Sequence, residues 1–539
     1  MGQRCHTLCA ARRAAAPNEA TSPAAQNEGT RLSDSTYQLI AIVIYLLAML
    51  GLGYVAYRRT SDLDDYMLAG RGLHPAVAAL SAGAADMSGW LLMGLPGAIY
   101  VAGLFEAWIA IGLTIGAWLN WKFVAPRLRA YTEVSQNAIT IPSFFEKRLK
   151  DGSHLLRIAA SLVILVFFTF YVSSGMVAAG KFFDSSFGWS YTTGLMLVAG
   201  VTLVYTMFGG FLGATLTDVA QGLLMFAALL TVPIVAVVSV GGLGNAFDGM
   251  REVNPDALNL FAGIGEGSAL MWVVGVISTA AWGLGYFGQP HILTRFMALR
   301  SPADARAGRR IGIGWMVLTC AGAIATALVG LGYFADNPER PLEDPETVFL
   351  LLSQIFFHPL VAGLVLAAVL AAIMSTMSSQ LVVCSSALVE DLYNLAGRRS
   401  TPTQEVMLGR LGVLVVAVVA FLLALNPGSS VLELVAFAWA GFGGAFGPLV
   451  LLSLYWRGLT AKGALAGMVL GAVTVFVWGN IEALSSTMYE IVPGFLVTLV
   501  VAVVVSKLAP EPTPEIEREF SQMEAEVGRP HTEVQTAQV

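Results

Sequence analysis

The chain has 539 residues, of which 56% are hydrophobic and 12% charged, and its formal net charge is −6. Its mean hydropathy of +0.70 and its charge content, roughly half that of an ordinary soluble domain, exclude a soluble globular enzyme and give no footprint for nucleic acid. The four cysteines do not form a framework: Cys5 and Cys9 lie in a polar tail, Cys320 and Cys384 in apolar runs, and no metal-ligand spacing is present.

Residues 1–36 are polar, rich in Ala, Ser and Arg, and lack the apolar core of a signal peptide; they read as a disordered tail. From residue 37 to 507 apolar runs of bilayer length follow one another with short loops. The expected architecture is a single all-α polytopic membrane domain of about thirteen spans: 37–57, 76–101, 107–124, 157–179, 191–208, 217–241, 267–287, 311–335, 358–387, 407–425, 431–456, 463–480 and 489–507. Residues 508–539 read as an acidic, Pro-punctuated, solvent-exposed tail with at most a short helix.

Basic residues orient the spans. With the N-terminus outside, 21 of the 24 Lys and Arg residues between the tails fall in inner loops, Arg71, Arg129, Arg148, Arg295 and Arg410 among them. Lys181, Arg251 and Arg340 stay outside, as does the mostly acidic stretch 336–346. The C-terminus is then cytoplasmic.

Two spans are interrupted. The second contains AADMSGWLLMGLPG (84–97), with Asp86, Gly89, Gly94 and Pro96; the seventh contains AAWGLGYFGQPH (280–291), with Gly283, Gly285, Gly288 and Pro290. In lipid such residues are tolerated where freed backbone groups find other partners. The two breaks lie five spans apart, so spans 2–6 and 7–11 can form an inverted repeat, with a transport site at the matching breaks. The glycines of AWAGFGGAFGP (438–448), a stretch without charge, fit close helix packing instead.

A carboxylate at a helix centre costs roughly 2.5–3.5 kcal/mol on insertion scales, so Asp86 must face a cavity or a partner. It is either a tie for unwound backbone or part of a cation site. Ser375 and Thr376 supply hard oxygen donors in the ninth span, a set that suits sodium and not a transition metal. Trp90, Trp282 and Tyr286 lie on the interrupted segments and Tyr171 on the fourth span, where they either pack helices or line a pocket for a small organic solute. No phosphate-loop signature is present, which argues against an ATP-driven pump.

From about residue 37 to 508 the chain resembles the solute:sodium symporter family, and within it the branch that carries proline. The likeness runs through LDDYMLAGR (63–71), SAGAADMSGWLLMGLPGA (81–98), FFTFYVSSG (167–175), GGFLGATLTDVAQ (209–221), WGLGYFGQPHIL (282–293) and LAAIMSTMSSQLVVCSSALVEDLY (370–393). The resemblance implies a sodium site built from main-chain oxygens of Ala84, Met87 and Ala372 and the hydroxyls of Ser375 and Thr376, with Asp86 in or beside it. It implies a proline site at Ser88, Gly89, Trp90, Tyr171, Trp282, Tyr286 and Pro290, and coupling or access roles for Arg71 and Asp218. It departs from the family at Gly72 and Ser379, neither of which is expected to touch the site.

The expected function is sodium-coupled L-proline uptake across a bacterial plasma membrane. Sodium is the coupling ion, with no other cofactor, no enzymatic activity and no obligate protein partner. Another solute carried by the same family, or a membrane sensor built on a transporter-like domain, are the alternatives; the short C-terminal tail counts against the sensor.

Overall fold

The computed structural model describes residues 33–58, 68–262, 269–393, 395, 401–426, 428–510 and 513–528. Most of the expected N-terminal tail, and the end of the C-terminal one, lie outside these residues. Among the described residues the chain is helical throughout, apart from a bridge pairing Leu73 with Leu299.

The first helix, α1 (Asp34–Tyr57), starts at Ser33, whose hydroxyl caps the Thr36 amide. The second span comes in two pieces, α2 (Pro75–Asp86) and α3 (Leu95–Ala102), joined by a π-helical turn at Trp90–Gly94. Next come α4 (Ala107–Leu119), α5 (Ala125–Val134), the short α6 (Ile141–Leu149) and α7 (Leu155–Phe187). The expected fifth and sixth spans are two helices that meet without a loop, named together α8 (Tyr191–Ser239). They join across a kink at Gly210, whose φ of 57° and ψ of −153° are open to glycine and closed to most side chains.

After α9 (Leu243–Val253), the seventh span is again in two pieces, α10 (Ala269–Ala280) running into a 3-10 stretch (Ala281–Phe287), then α11 (Pro290–Met297). The remaining helices are α12 (Ala305–Asp336), α13 (Val348–Phe356), α14 (Pro359–Ser386), α15 (Pro402–Ala424), α16 (Val431–Tyr455), α17 (Ala461–Asn480), α18 (Ile491–Leu508) and α19 (Pro514–Gly528).

Eleven helical stretches among the described residues are long and apolar enough to cross a membrane. The count of thirteen spans is not confirmed. Two of the stretches, Trp90–Val134 and Tyr191–Ser239, each cover sequence assigned to two spans and turn at a non-helical glycine, Gly103 and Gly210.

The packing explains why the helices stay together in lipid. Helix α14 is the central post, buried along most of its length and packed on α1, α7, α8 and α15. The outer surface is apolar, with Ile44, Leu47, Ile234, Leu411, Leu422 and Val500 all exposed, as a lipid-facing belt requires. Between α4 and the seventh span the backbones touch: a Cβ on Gly112 or Gly116 would run into the main chain of Ala280 or Gly283. The glycines of 438–448 are packing residues as expected, with Gly441 against Phe167 and Gly444 against Val475.

One face of the bundle is tied by arginines. Arg71, held at a φ of 55°, donates to Asn137, Thr132 and the carbonyls of Met297 and Ala138 at 2.7–3.1 Å. Arg129 donates to Leu299 O at 2.5 Å. On this face α19 docks against α5, which corrects the expectation of an exposed tail. Its apolar residues Ile516, Phe520 and Met523 recur at helical spacing and are buried. Lys150 binds Glu519 at 2.5 Å and Glu515 at 3.0 Å, and Arg457 binds Glu517 and Glu524 at 2.9 and 2.8 Å. The hydrogen bond from Lys150 holds the Glu515 carboxyl below the ordinary glutamate range.

Candidate functional site

Helix α2 ends where the sequence puts a charge in apolar surroundings. Met87 leaves the helical region (φ −82°, ψ 82°), so the ladder of backbone hydrogen bonds stops and the last carbonyls of α2 are released. The kink is held locally. Ser88 N donates to Asp86 O at 3.0 Å, and the Trp90 indole donates to the same oxygen at 3.0 Å. The Ser88 hydroxyl accepts from Trp90 N at 3.4 Å.

Across from these carbonyls stands α14. The Ser375 hydroxyl donates to Ala84 O at 2.7 Å and lies 3.1 Å from Ala372 O. Thr376, one residue on, is buried and its hydroxyl has no partner. Asp86 is buried, takes the Tyr286 hydroxyl on Oδ2, and leaves Oδ1 unpartnered. Met87 closes α2, with its sulfur accepting from Thr319 at 3.4 Å. Ala84 O, Ala372 O and the Ser375 hydroxyl therefore meet between α2 and α14, with Thr376 next along α14 and the Asp86 carboxylate turned to Tyr286. Buried oxygens without partners are rare and call for one. Beside Asp86, Met87, Tyr286 and Met316 is a cavity of about 20 Å³, on the scale of a single small guest.

The second break is built by packing. A Cβ on Gly285 would enter the Trp439 indole and one on Gly288 would meet Phe442 O, so only glycine lets the seventh span approach α16 this closely. Pro290 then opens α11 at its first position, where no amide is lost. The freed carbonyls are taken up by side chains: Trp439 donates to Trp282 O at 2.7 Å and Asn120 to Tyr286 O at 2.8 Å.

The aromatic residues expected at a solute site gather here. Trp90 and Trp282 lie 6.4 Å apart, Trp282 stacks on Tyr489 at 5.5 Å, and Tyr286 meets Trp439 edge-on at 5.2 Å. Tyr171 faces His291 at 6.1 Å. A Cβ on Gly89 would sit 3.1 Å from that of Ala178 on α7, which brings the first break against the helix of Tyr171. Trp439, Tyr489 and His291 belong to the same cluster and were not anticipated. The glycine-rich stretch around Trp439 pointed to helix packing, and Tyr489 stands at the rim of a distant span.

Asp218 and Arg71 stand apart from this group. Asp218 is fully buried in α8, shortly after the Gly210 kink; it accepts from Ser81 at 2.7 Å and pairs with Arg295 at 3.0 Å. Arg295, read from sequence as a loop charge, is 1% exposed. It also donates to Ser379 at 2.5 Å and to His291 O at 2.7 Å. Ser379, expected to lie off the site, is thus one helical turn from Ser375 and bound to the Asp218 partner. Arg71 lies at the end of the bundle, among the ties described above.

Two broken helices running in opposite directions, with buried oxygens at one break and aromatic rings at the other, define a secondary transporter. Residues 66–471 match the model of the sodium:solute symporter family. The chain belongs to that family, and so couples solute movement to sodium. It is 54% identical to the high-affinity proline transporter PutP of Bacillus subtilis (strain 168), over 88% of this chain and 98% of that one. It is 51% identical to the osmoregulated proline transporter OpuE of the same organism, over 90% and 98%. It is 48% identical to a sodium/proline symporter of Staphylococcus aureus (strain NCTC 8325 / PS 47), over 92% and 98%. A substrate-bound, outward-open Na+-coupled sialic acid symporter shares the fold with a TM-score of 0.76 at 20% identity, covering 89% of this chain and all of that one. Mhp1, a nucleobase-cation-symport-1 transporter, superimposes with a TM-score of 0.52 at 16% identity, over 85% and 98%.

Proposed function

We propose that this chain carries L-proline into the cell with one sodium ion, by alternating access, with its N-terminus outside and the arginine-tied face in the cytoplasm. The observation that carries the reading is near-full-length identity of 48–54% to transporters named for proline. The oxygen group at the first break and the aromatic group at the second give each cargo a place.

Sodium takes Ala84 O, Met87 O, Ala372 O and the Ser375 and Thr376 hydroxyls, with the Asp86 carboxylate balancing its charge. Ser375 now points its proton at Ala84 O. To admit the ion it must turn that proton away, so that both oxygens offer lone pairs to the cation. Trp90 caps the same segment through Asp86 O, so filling the ion site orders one wall of the solute site. Ser88, Gly89, Tyr171, Trp282, Tyr286 and Pro290 supply the rest. Reciprocal linkage requires proline to tighten sodium binding by the same factor. Arg71 and the Asp218–Arg295 pair close the cytoplasmic route until the cargo is bound.

The energetics suffice. One charge crossing ~100 mV is worth ~2.3 kcal/mol, and a ~10-fold sodium gradient adds ~1.4 kcal/mol. Together they support accumulation of a neutral zwitterion by several hundredfold, at ~1.4 kcal/mol per decade.

The test is uptake of radiolabelled L-proline into proteoliposomes of the purified protein, with and without an inward sodium gradient. Accumulation that collapses with a sodium ionophore is the expected result. Folded, inserted protein that accumulates no proline would overturn the assignment.

A further inference from the structure

The end of α14 holds a buried carboxylate that the ion site does not use. After Ser386 the helix winds into a π-helical turn (Ala387–Tyr393) that carries Asp391, which is 0% exposed. Beside it is a cavity of about 10 Å³, room for a single guest the size of a water molecule. Pro290 and Thr294 line the cavity from α11, Thr140 from the cap of α6, and Ser386 and Asp391 from α14 and the turn that follows it. From Thr376 to Asp391 is about four helical turns, roughly 20 Å, so the cavity is separate from the oxygens at the first break. It lies toward the arginine-tied face, since Thr140 comes shortly after Ala138, whose carbonyl Arg71 binds at 2.7 Å.

The polar side chains of this lining have only lone pairs left to offer. A hydroxyl has one proton to give, and all three are spent: Thr140 donates to Asp391 Oδ1 at 2.8 Å, Thr294 to His291 O at 3.0 Å and Ser386 to Val382 O at 3.0 Å. Asp391 Oδ1 is taken by Thr140 and by Arg157 Nε at 2.8 Å, while Oδ2 has no partner. None of the described residues lining the cavity is basic. Nor does Arg157 belong to Asp391 alone: it also binds Glu390 at 2.9 Å and Glu146 at 3.6 Å. Lys147, beside Glu146 in the chain, is turned to Gln136 O at 3.1 Å. A buried carboxylate holding a share of one guanidinium, with one oxygen bare, is costly unless a further cation joins it.

We propose that this cavity is a second alkali-cation site, at which sodium halts on its way out: Asp391 Oδ2 and the hydroxyl oxygens of Thr140, Thr294 and Ser386 take the ion. An all-oxygen set of one carboxylate and three hydroxyls suits a hard cation. Sodium's exit then lies on the arginine-tied face, which rests on the orientation proposed above. An ion seated there ties Thr294 of the second broken span to the end of α14, so sodium already in the cytoplasm holds that half-helix in place and slows further uptake.

The experiment titrates sodium on each side separately. Proline uptake is measured in proteoliposomes of uniform orientation at fixed membrane potential, with sodium inside raised stepwise in exchange for choline, and then with sodium outside varied at none inside. The unmodified chain is compared with Asp391→Asn and with Thr294→Val, which keeps the side-chain shape and leaves the Asp391–Arg157 pair whole. The internal sodium that halves uptake should rise about tenfold in Asp391→Asn, the loss of one charged ligand, and by a smaller factor in Thr294→Val. The external sodium half-saturation and the proline KM should stay put. Should Asp391→Asn fail to insert, Thr294→Val and Ser386→Ala decide. Unchanged internal inhibition would mean that the cavity holds water only and would overturn the proposal. Equal shifts on both sides would overturn it too, by making Asp391 a support for the first site. A shift confined to external sodium would keep the site and overturn the orientation. If the chain carries no proline, the solute reading fails on its own, and the same two-sided titration on the solute it does carry decides the part of Asp391.

Discussion

The two breaks do the same mechanical job by different means. In the second span the helix stops because Met87 turns out of helical geometry; Ala84 O is covered only by the Ser375 hydroxyl, and Asp86 Oδ1 and the Thr376 hydroxyl keep no partner. In the seventh span the chain winds into a tighter 3-10 helix under three glycines pressed on α4 and α16, and two of its carbonyls, of Trp282 and Tyr286, are claimed by Trp439 and Asn120. On the proposed reading, an unsatisfied break recruits an ion. A satisfied one shapes a wall.

If that division is right, the largest effect comes from removing charge at the first break. Asp86→Asn keeps the shape and a hydrogen bond to Tyr286, but takes away the charge that balances sodium. Breaking a buried charge pair costs about 3–5 kcal/mol. The sodium half-saturation for proline uptake should rise by at least ~100-fold at ~1.4 kcal/mol per decade, and uptake at ordinary sodium should vanish. Unchanged sodium dependence would make Asp86 a tie for the backbone and no more.

Next in size is Ser375→Ala, which deletes one oxygen and leaves Ala84 O uncovered. A tenfold rise in sodium half-saturation, worth ~1.4 kcal/mol, is expected. At limiting sodium the proline KM should rise with it, and at saturating sodium it should return to normal. A proline defect that high sodium does not repair would place Ser375 at the solute instead.

The smallest effects come from a matched pair of glycine substitutions. In Gly288→Ala the new methyl meets Phe442 O, backbone that cannot step aside, at a cost of about 1–3 kcal/mol for overpacking. It should lower the thermal unfolding midpoint in detergent and slow transport at every sodium concentration. In Gly89→Ala the methyl meets the Ala178 side chain at 3.1 Å, tight but yielding, so stability should hold and only the proline KM should shift. The reverse ranking would mean that the first break, not the second, is the packed one.

Much of this was legible in the sequence. A carboxylate and helix breakers inside apolar runs have few explanations, so Asp86, both broken spans and the oxygen donors of the ninth span could be found by composition alone. Pairings across the fold could not. Arg295 looks like any loop arginine until Asp218, 77 positions away, is brought to it. Gly209 and Gly210 read as a loop because two glycines interrupt an apolar run, yet one unusual backbone conformation at Gly210 joins the two helices directly. The docked α19 was signalled by Ile516, Phe520 and Met523 at helical spacing, a pattern masked by the surrounding acids.

The bridge between Leu73 and Leu299 bears on how the breaks communicate. Leu73 N donates to Ala298 O at 3.0 Å, and Arg300 N returns the bond to Leu73 O at 3.3 Å. It joins the start of one broken span to the end of the other, and the Asp86–Tyr286 hydrogen bond joins them again at mid-length. Two rods pinned at two points lose their freedom to pivot separately. Whatever straightens one against its neighbours must carry the other along, like two leaves on a single hinge pin. Under the proposed assignment of the two sites, the ion needs no relay of intermediates to reach the solute: seating it on one rod repositions the other.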